Sequence, residues 1–347
     1  MVRTALKLLF LLWLAGVVGQ AQSDEPVTIM AIQGAGPTSP LDGRTVETAG
    51  VVTAVGADGR QFWIQDPAGD GDPATSDGVR VGDRNLNDPP PVGALVRLVA
   101  RVREERFGQA LPRTTLGDVR QLDVLAQNHP LPEPVWIDDL PDASLREGIE
   151  FWERLEGMRV RLEGATVVAP TSRFGEFAVL APRDARPGSG YVPRTGVLLL
   201  GDLGGGRVDY NPERVLVDDA VAPTPDLRPG DAVAALTGVV GYTFGAWKVQ
   251  HTELDAAAAP PPGAPVSARW ERPGTLRVTT FNLENLFDTE NDPRKDDEDS
   301  TPTPQQLEVK LAKLAAALEL ELALPEIVVL QEAENQAVLA ALAARVN

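Results

Sequence analysis

The feature that most constrains this chain is an internal duplication. The segment LDGRTVETAG, residues 41–50, and the segment LEGMRVRLEG, residues 155–164, share a leucine, an acidic residue, a glycine, a valine and a second glycine at the same spacing. Further along, GALVRLVARVREERFG, residues 93–108, matches GDAVAALTGVVGYTFG, residues 230–245. The two ends match while the middle of the second copy is longer, which indicates two structural copies of one module.

Each copy contains short stretches in which Val or Leu alternates with polar residues, separated by Gly and Asp turns. In the first copy these stretches are GVVTAV, QFWIQD, DGVRV and LVRLVARV. Roughly five short strands in about 100 residues predict a small Greek-key barrel such as the OB fold, with a β-sandwich as the alternative. Gly93 and Gly230 are predicted to lie in turns that enter a long central strand, where a positive φ or a bulge is tolerated.

The start of the chain predicts a signal peptide over residues 1–21. Arg3 and Lys7 precede an apolar run from Leu8 to Val18 that is short for a membrane span, although an uncleaved anchor is the alternative. The chain has no cysteine, which excludes disulfides, thiolate zinc sites and cysteine nucleophiles. We therefore expect a secreted protein, extracellular or periplasmic, without stable membrane association after cleavage; the sequence does not indicate an oligomeric state.

The formal net charge of −18 disfavours nonspecific contact with a phosphate backbone. One segment is locally basic and provides candidate nucleic-acid contacts, namely Arg97, Arg101, Arg103, Arg106 and Arg113. A solvated strand face is an equally good interpretation of these arginines. Several aromatic residues could stack on bases, although barrel core is the favoured interpretation for most of Phe62, Trp63, Phe107 and Trp247.

The pattern changes after the Ala- and Pro-rich segment 257–273. TLRVTTF and EIVVLQ are predicted strands, separated by a helix that Thr303 caps, with Gln306 completing a capping box, and followed by a second helix over NQAVLAALAARV. This β-α-β-α order predicts two parallel strands, whose carboxyl ends share one edge of the sheet. Asn282 would then lie beside Glu332, and their oxygens suit Mg²⁺, Mn²⁺ or Ca²⁺, although a glutamate at a strand end is more often simply exposed to solvent.

The end of the chain resembles the endonuclease/exonuclease/phosphatase superfamily, which has the deoxyribonuclease-I-like fold. The matching segments are LRVTTFNLENLFD, the acidic loop TENDPRKDDEDSTP, the helix with Lys310, and PEIVVLQEAEN. The resemblance implies that Asn282 and Glu332 help to hold a catalytic divalent metal, Mg²⁺ or Mn²⁺, with Ca²⁺ a further candidate. The two copies resemble the OB-fold modules of secreted bacterial nucleases, in segments that include FWIQDPAGDGDPATSDGVRV and LEGMRVRLEGATVVAPT.

The resemblance therefore predicts a multidomain chain, with two all-β OB-like barrels followed by the N-terminal β-α-β-α part of an α/β deoxyribonuclease-I-like sandwich. The expected boundaries are a signal peptide at 1–21, module one at 24–126, a Pro-rich linker at 127–149, module two at 150–256, an Ala/Pro linker at 257–273 and the incomplete nuclease domain at 274–347.

The implied activity is metal-assisted hydrolysis of a phosphodiester by an extracellular nuclease, with DNA as the expected partner of the barrels. The family pattern also includes an Asp-x-Asn segment and a closing Asp-His pair, and neither follows Glu332. His129 and His251, the two histidines of the chain, are interpreted as a loop residue and a strand residue. We therefore expect a chain that ends before the catalytic histidine and is inactive alone. The alternative is a secreted, non-catalytic protein whose tandem barrels bind nucleic acid or polysaccharide.

The segment DPAGDGDPATSDG, residues 66–78, is a candidate calcium loop through Asp66, Asp70, Asp72 and Asp77. Its spacing does not match that of an EF-hand, and Asp-Gly turns are the simpler interpretation.

Overall fold

A computed structural model gives the fold of the chain. It describes residues 26–346 except for short stretches at 84–85, 87, 107, 109, 138–144, 184–190, 193–196, 199–200, 203–207, 210, 212, 258–273, 275, 292–300 and 323. The predicted signal peptide, residues 1–21, and Phe107 therefore lie outside the described residues. Within these limits, no helix is both long enough and apolar enough to cross a membrane. The chain divides into two compact units, Met1–Pro260 and Pro261–Asn347.

The first copy is a closed five-stranded barrel, as the alternating pattern predicts. A short helix, α1 (Ile29–Gln33), precedes the strands β1 (Thr45–Val55), β2 (Gln61–Gln65), β3 (Gly78–Gly82), β4 (Leu95–Glu105) and β5 (Arg113–Ala126). The strands pair in the order β1-β2-β3-β5-β4, and β4 closes the barrel on β1. All pairings are antiparallel except that of β3 with β5.

The second copy repeats this arrangement of strands. After β6 (Val135–Trp136) and α2 (Leu145–Glu153), the chain forms β7 (Arg159–Ala169), β8 (Phe177–Leu180), β9 (Tyr191–Val192), β10 (Val197–Leu198), β11 (Gly201–Asp202), β12 (Val208–Asp209), β13 (Arg214–Asp218), β14 (Ala232–Thr243) and β15 (Ala246–Ala257). A ring of pairings runs β7-β8-β13-β15-β14 and returns to β7, again with one parallel pair, β13 with β15. The short strands β9 to β12 form the longer middle of this copy, where the sequence predicts an insertion.

The duplication extends to individual hydrogen bonds. Gly93 and Gly230 have φ values of +82° and +94°, which confirms the predicted left-handed turns before the long strands β4 and β14. The amide of Gly93 donates to the carbonyl oxygen of Val52 at 2.9 Å, and the amide of Gly230 donates to that of Val167 at 2.8 Å. Because a side chain is strained at such φ values, glycine is retained at both equivalent positions.

Each barrel has its own apolar core, and the two barrels are also in direct contact. The largest buried side chains of the first core include Phe62 and Ile64, and those of the second include Phe177 and Leu162. A third, smaller cluster joins the barrels by packing Ala54 and Trp63 against Val239.

At one point the two barrels meet through a contact of backbones. A Cβ atom added to Gly78 on β3 would lie 2.3 Å from the carbonyl carbon of Gly157. Beside this contact, the hydroxyl of Ser76 and the side-chain amide of Gln33 both donate to the carbonyl oxygen of Glu156, at 2.6 and 3.3 Å. The junction therefore depends on the absence of a side chain at Gly78.

The unit Pro261–Asn347 contains the predicted β-α-β-α order. It consists of β16 (Val278–Leu286), α3 (Pro304–Ala316) with a final π-helical turn over Ala317–Glu321, β17 (Ile327–Ala333) and α4 (Gln336–Val346), and the two strands are parallel. Thr303 and Gln306 form the predicted capping box. One face of the sheet packs on the helices through Phe281, Val328 and Leu330, while Val278 and Val329 on the opposite face are 62% and 49% exposed.

We predict that Gly78→Ala destabilises the barrel pair by about 1–3 kcal/mol. The added methyl group would overlap backbone atoms of Gly157, and the overlap can be relieved only by moving the backbone of one barrel. Denaturant unfolding of the full chain measures the effect. Gly36→Ala is the matched control, since nothing lies within 4 Å of a Cβ at that position. Equal stability of the two variants would contradict the assigned contact.

We also predict a pH dependence from Glu153, at the end of α2. Burial, together with the nearby carboxylate of Glu104, raises the pKa of Glu153 from 4.5 to about 7. The folded state thus binds this proton more tightly than the unfolded chain does. The resulting stabilisation is complete below pH 4.5 and is lost as the pH rises to about 7.

Glu153→Gln should therefore gain free energy of unfolding relative to the wild type as the pH is raised across this range, as measured by urea titrations at several pH values. Glu150→Gln, on the exposed side of the same helix, is the control and should parallel the wild type. A difference between Glu153→Gln and the wild type that is the same at every pH would refute the titration of Glu153.

Candidate metal centre

Asn282 and Glu332 lie together at the carboxyl ends of the two parallel strands. Asn282 on β16 is in register with Gln331 on β17, and Glu332 follows directly. The register then shifts between Asn282 and Leu286, so that the intervening residues of β16 bulge out of the ladder. Such a bulge turns side chains away from the regular alternation and concentrates them at the strand ends.

The two side chains are in hydrogen-bond contact. Asn282 Nδ2 donates to Glu332 Oε1 at 2.7 Å, and the backbone amide of Asn285 donates to Glu332 Oε2 at 3.1 Å. Both side chains are exposed. The juxtaposition expected from the parallel topology is therefore present, on the surface, where a ligand has access.

The backbone around this pair is strained. Glu284, Asn285 and Glu332 have φ values of +55°, +61° and +57°, in the left-handed region that side chains disfavour. Residues held in this way cost free energy and concentrate at functional sites. The geometry thus points to the same edge of the sheet as the chemistry of the side chains does.

Lys310 on α3 holds the strained loop in place. Its ammonium group donates to the carbonyl oxygens of Glu284 and Asn285, at 2.5 and 3.1 Å. The side-chain oxygen of Asn282 accepts from the amide of Glu284 at 2.7 Å. Sequence reasoning connected Lys310 to the family pattern but gave it no role, and it missed Asn285. The sequence signal for this bulge was the break in the apolar–polar alternation of β16 at LEN, residues 283–285.

The pair fits a hard divalent cation in its chemistry. A carboxylate and an amide oxygen are ligands that Mg²⁺ and Mn²⁺ accept, and Mg²⁺ retains several waters beside one or two protein ligands. The amide of Asn282 would have to rotate, since its nitrogen rather than its oxygen now faces Glu332. Among the described residues, no group of three or more His, Cys, Asp or Glu side chains is arranged to hold a metal.

A second network lies just beyond the pair. The amide of Asp288 donates to Glu334 Oε2 at 2.5 Å, and Asn335 Nδ2 donates to Asp288 Oδ2 at 2.8 Å. Asn335 Oδ1 in turn accepts from the amide of Val338 at 3.1 Å, in the first turn of α4. These contacts fix the chain that follows Glu332, and sequence reasoning did not identify them.

The candidate calcium loop is organised by contacts within the loop. Asp66 Oδ1 accepts from the amides of Ala68 and Gly69, at 2.9 and 3.1 Å. Asp70 and Asp72 accept from the amides two residues ahead of them, at 2.8 and 2.9 Å. Burial raises the pKa of Asp77, with Asp70 and Asp66 adding to it. The contacts of Asp66, Asp70 and Asp72 are Asx turns, and calcium binding by this loop stays a prediction.

The candidate arginines do not form one surface. Arg97, Arg101 and Arg103 alternate along the exposed side of β4, where Arg97 pairs with Asp123 and Arg103 with Asp118. Arg106 is exposed in the following turn. Arg113 is buried instead, where it donates to Glu105 at 2.8 Å and to the carbonyl oxygen of Tyr242 at 3.2 Å. Four of the five therefore reach the surface, and nucleic-acid contact by them stays a prediction.

Neither histidine belongs to the unit that contains Asn282 and Glu332. His129 Nδ1 lies 2.8 Å from the carbonyl oxygen of Pro130, in a loop, as expected. His251 is buried on β15, and burial lowers its pKa.

Comparison with known proteins places two family models on the chain. Residues 277–346 match the Endonuclease/Exonuclease/phosphatase family, and residues 132–259 match a domain of unknown function (DUF8508). No curated protein matches the chain. Among solved structures, a deletion mutant of the single-stranded DNA binding protein from Thermus aquaticus matches at 14% identity with a TM-score of 0.18, covering 64% of this chain and 98% of that one.

We predict that Lys310→Met loosens the loop that holds Asn285 against Glu332, because both carbonyl contacts of the ammonium group are lost. Hydrogen exchange at the amide of Asn285, measured by NMR, should become faster. Lys313→Met removes an exposed lysine from the same helix and should leave this exchange unchanged. Unaltered exchange in Lys310→Met would show that the loop holds its conformation without the lysine.

Proposed function

We propose that this chain contributes to a divalent-metal-dependent phosphodiesterase, an extracellular or periplasmic nuclease whose barrels bind nucleic acid. The observation that carries the proposal is the 2.7 Å contact between Asn282 and Glu332 at the carboxyl ends of parallel strands. It lies within the segment that matches the Endonuclease/Exonuclease/phosphatase family.

Glu332 would supply a charged carboxylate oxygen and Asn282 a neutral amide oxygen to Mg²⁺ or Mn²⁺. When bound, the cation would neutralise charge on a phosphodiester and stabilise the leaving oxygen. Lys310 and the amide of Asn285 would position the carboxylate of Glu332 and keep the strained loop closed around it. The exposure of both ligands is what a polymeric substrate requires, since the scissile phosphate must reach them from solvent.

We propose further that residues 274–347 do not cut efficiently on their own. Acid–base assistance of the family type uses a histidine, and both histidines of the chain precede this segment. The exposed apolar face that includes Val278 and Val329 is a further reason, because a sheet normally has both apolar faces covered.

A second candidate function is binding without cleavage, by the paired barrels alone. The observation that favours it is that the barrels of the unit Met1–Pro260 each have an apolar core of their own and share an interface. Secreted nucleic-acid binding or polysaccharide binding would suit such a unit. Metal binding at Glu332 separates this candidate from the first.

We predict that the full chain binds Mn²⁺ and that Glu332→Gln weakens the binding by at least roughly tenfold, because the variant removes the only charged ligand of the pair. Electron paramagnetic resonance of free Mn²⁺ measures the affinity, and added Mg²⁺ should compete. The matched control is Glu326→Gln. Glu326 is also an exposed glutamate of this unit, but it pairs with Arg277 before β17 begins.

Equal Mn²⁺ affinity of the wild type and Glu332→Gln would refute the metal centre. Nicking of supercoiled plasmid by the purified chain, with Mg²⁺, Mn²⁺ or EDTA, tests the second part of the proposal. We expect little cutting. Vigorous metal-dependent cutting that Glu332→Gln abolishes would keep the metal centre and overturn the proposed inactivity of the chain alone.

A further inference from the structure

A cleft of about 700 Å³ lies between the two barrels and is not used by the metal centre. Its volume falls in the range of sites for small molecules. Trp63 of the first barrel and Tyr242, Lys248 and Gln250 of the second form part of its wall. The barrels therefore build together a concave surface that neither has alone.

Two exposed phenylalanines stand at this cleft. Phe174 lies in the turn between β7 and β8 and is 65% exposed, and Phe244 lies in the turn between β14 and β15 and is 86% exposed. Each ring has a cation over it, Arg173 at 4.7 Å and Lys248 at 5.5 Å. Large aromatic side chains exposed beside a concave surface indicate a binding site.

Phe244 is also held in a strained conformation. Its φ is +51°, which is unusual for a bulky side chain, and Gly245 follows it at +82°. A glycine at position 244 would form this turn without strain. The phenylalanine thus costs free energy at this position, which favours a role of its exposed ring in contacting a ligand.

The cations that line the cleft have oppositely charged partners, which favours an uncharged ligand group inside it. Arg80 and Arg113 both pair with Glu105, at 3.3 and 2.8 Å. Lys248 is 3% exposed and pairs with Glu176 and with Asp218, the latter at 3.2 Å, so its charge is compensated. Burial and the neighbouring Asp218 raise the pKa of Asp219. Cations whose charges are already compensated offer little to a phosphate inside the cleft. Arg173, which is exposed and lies over the ring of Phe174, is the better placed cation for a phosphate.

Three buried polar groups of the wall lack a hydrogen-bond partner among the described residues. They are the indole N–H of Trp63, the side-chain oxygen of Gln250 and the hydroxyl of Thr243, which can donate or accept. Such groups are costly in a closed interior. A planar ring with both an acceptor and a donor on its edge could satisfy them after a small side-chain adjustment.

The first barrel repeats only part of this arrangement. Phe107 is equivalent to Phe244 in the duplicated sequence, but the turn between β1 and β2, residues 56–60, contains no aromatic residue. The amide of Ala57 in that turn donates instead to the carbonyl oxygen of Ala220 at 2.8 Å, against the second barrel. The equivalent turn thus serves packing in the first copy, and it presents Phe174 in the second.

We propose that this cleft takes an unpaired base of a single-stranded nucleic acid, stacked on Phe174 and Phe244 with its phosphate near Arg173. The proposal rests on the proposed function in that the base belongs to the same nucleic-acid partner. Aromatic stacking is tolerant of sequence, since every base has a π-face. A duplex keeps its bases inside and should not use the site.

The test is fluorescence anisotropy of a labelled single-stranded DNA dodecamer with the full chain, in EDTA. Phe174→Ala and Phe244→Ala should each weaken binding roughly tenfold, and Phe174→Trp should retain it. Trp136→Ala is the control, since Trp136 is 56% exposed and does not line the cleft. The same dodecamer as a duplex should bind more weakly than the single strand.

Wild-type affinity in both alanine variants, or duplex binding as tight as that of the single strand, would overturn the proposal. So would binding of a neutral glucose hexasaccharide that the alanine variants abolish, since the site would then belong to a glycan. Metal is absent from this experiment, so Mn²⁺ binding at Glu332 does not contribute to its result. Failure here is therefore distinguishable from failure of Mn²⁺ binding at Glu332.

Discussion

The backbone contact between Gly78 and Gly157 determines how the two barrels meet. Gly157 has a φ of +77°, and a Cβ there would lie 2.7 Å from the amide nitrogen of Val79. Neither position can carry a side chain unless the backbone moves, so the two barrels can lie this close together only with glycine at both positions. The hydrogen bonds of Ser76 and Gln33 to Glu156 then fix the direction of this approach. The cleft beside the junction takes its shape from the same constraint.

The junction also determines how its carboxyl groups ionise. Burial alone would raise the pKa of Glu105, but hydrogen bonds from Arg113 and the charge of Arg80 lower it overall. The carboxylate of Glu156 lies nearby and, among the described residues, accepts one long bond, from the amide of Thr114 at 3.4 Å. Burial raises the pKa of Glu156 well above the ordinary value. The pKa values of two glutamates at one junction are thus shifted in opposite directions, because Arg113 donates hydrogen bonds to Glu105 and none to Glu156 among the described contacts.

Most of the fold could be predicted from local sequence patterns. The alternation of β4 and β14, the glycines before them and the capping box of α3 depend on neighbours within a few residues, and each is as predicted. The pairing of Asn282 with Glu332 followed from parallel topology, which needs only the order of elements. The Gly78–Gly157 contact and the burial of Arg113 depend on how two finished barrels dock, and no local signal encodes docking. The roles of Asn285 and Lys310 were hidden for a similar reason, since a bulge moves side chains off the period on which such reasoning relies.

A net charge of −18 repels a polyanion such as the proposed nucleic-acid partner, and the two proposed sites avoid this repulsion in different ways. At Glu332 a divalent cation would lie between the carboxylate and a phosphate, so the acidic residue would attract the phosphate through the cation. At Phe174 and Phe244 contact would be made through the faces of bases, while the cations of the cleft are already paired with carboxylates. Neither depends on many lysines or arginines releasing counterions. Binding through these sites should therefore depend less steeply on salt than binding by a basic surface does. The acidic surface would then restrict nucleic acid to places where a metal or an unpaired base can be engaged.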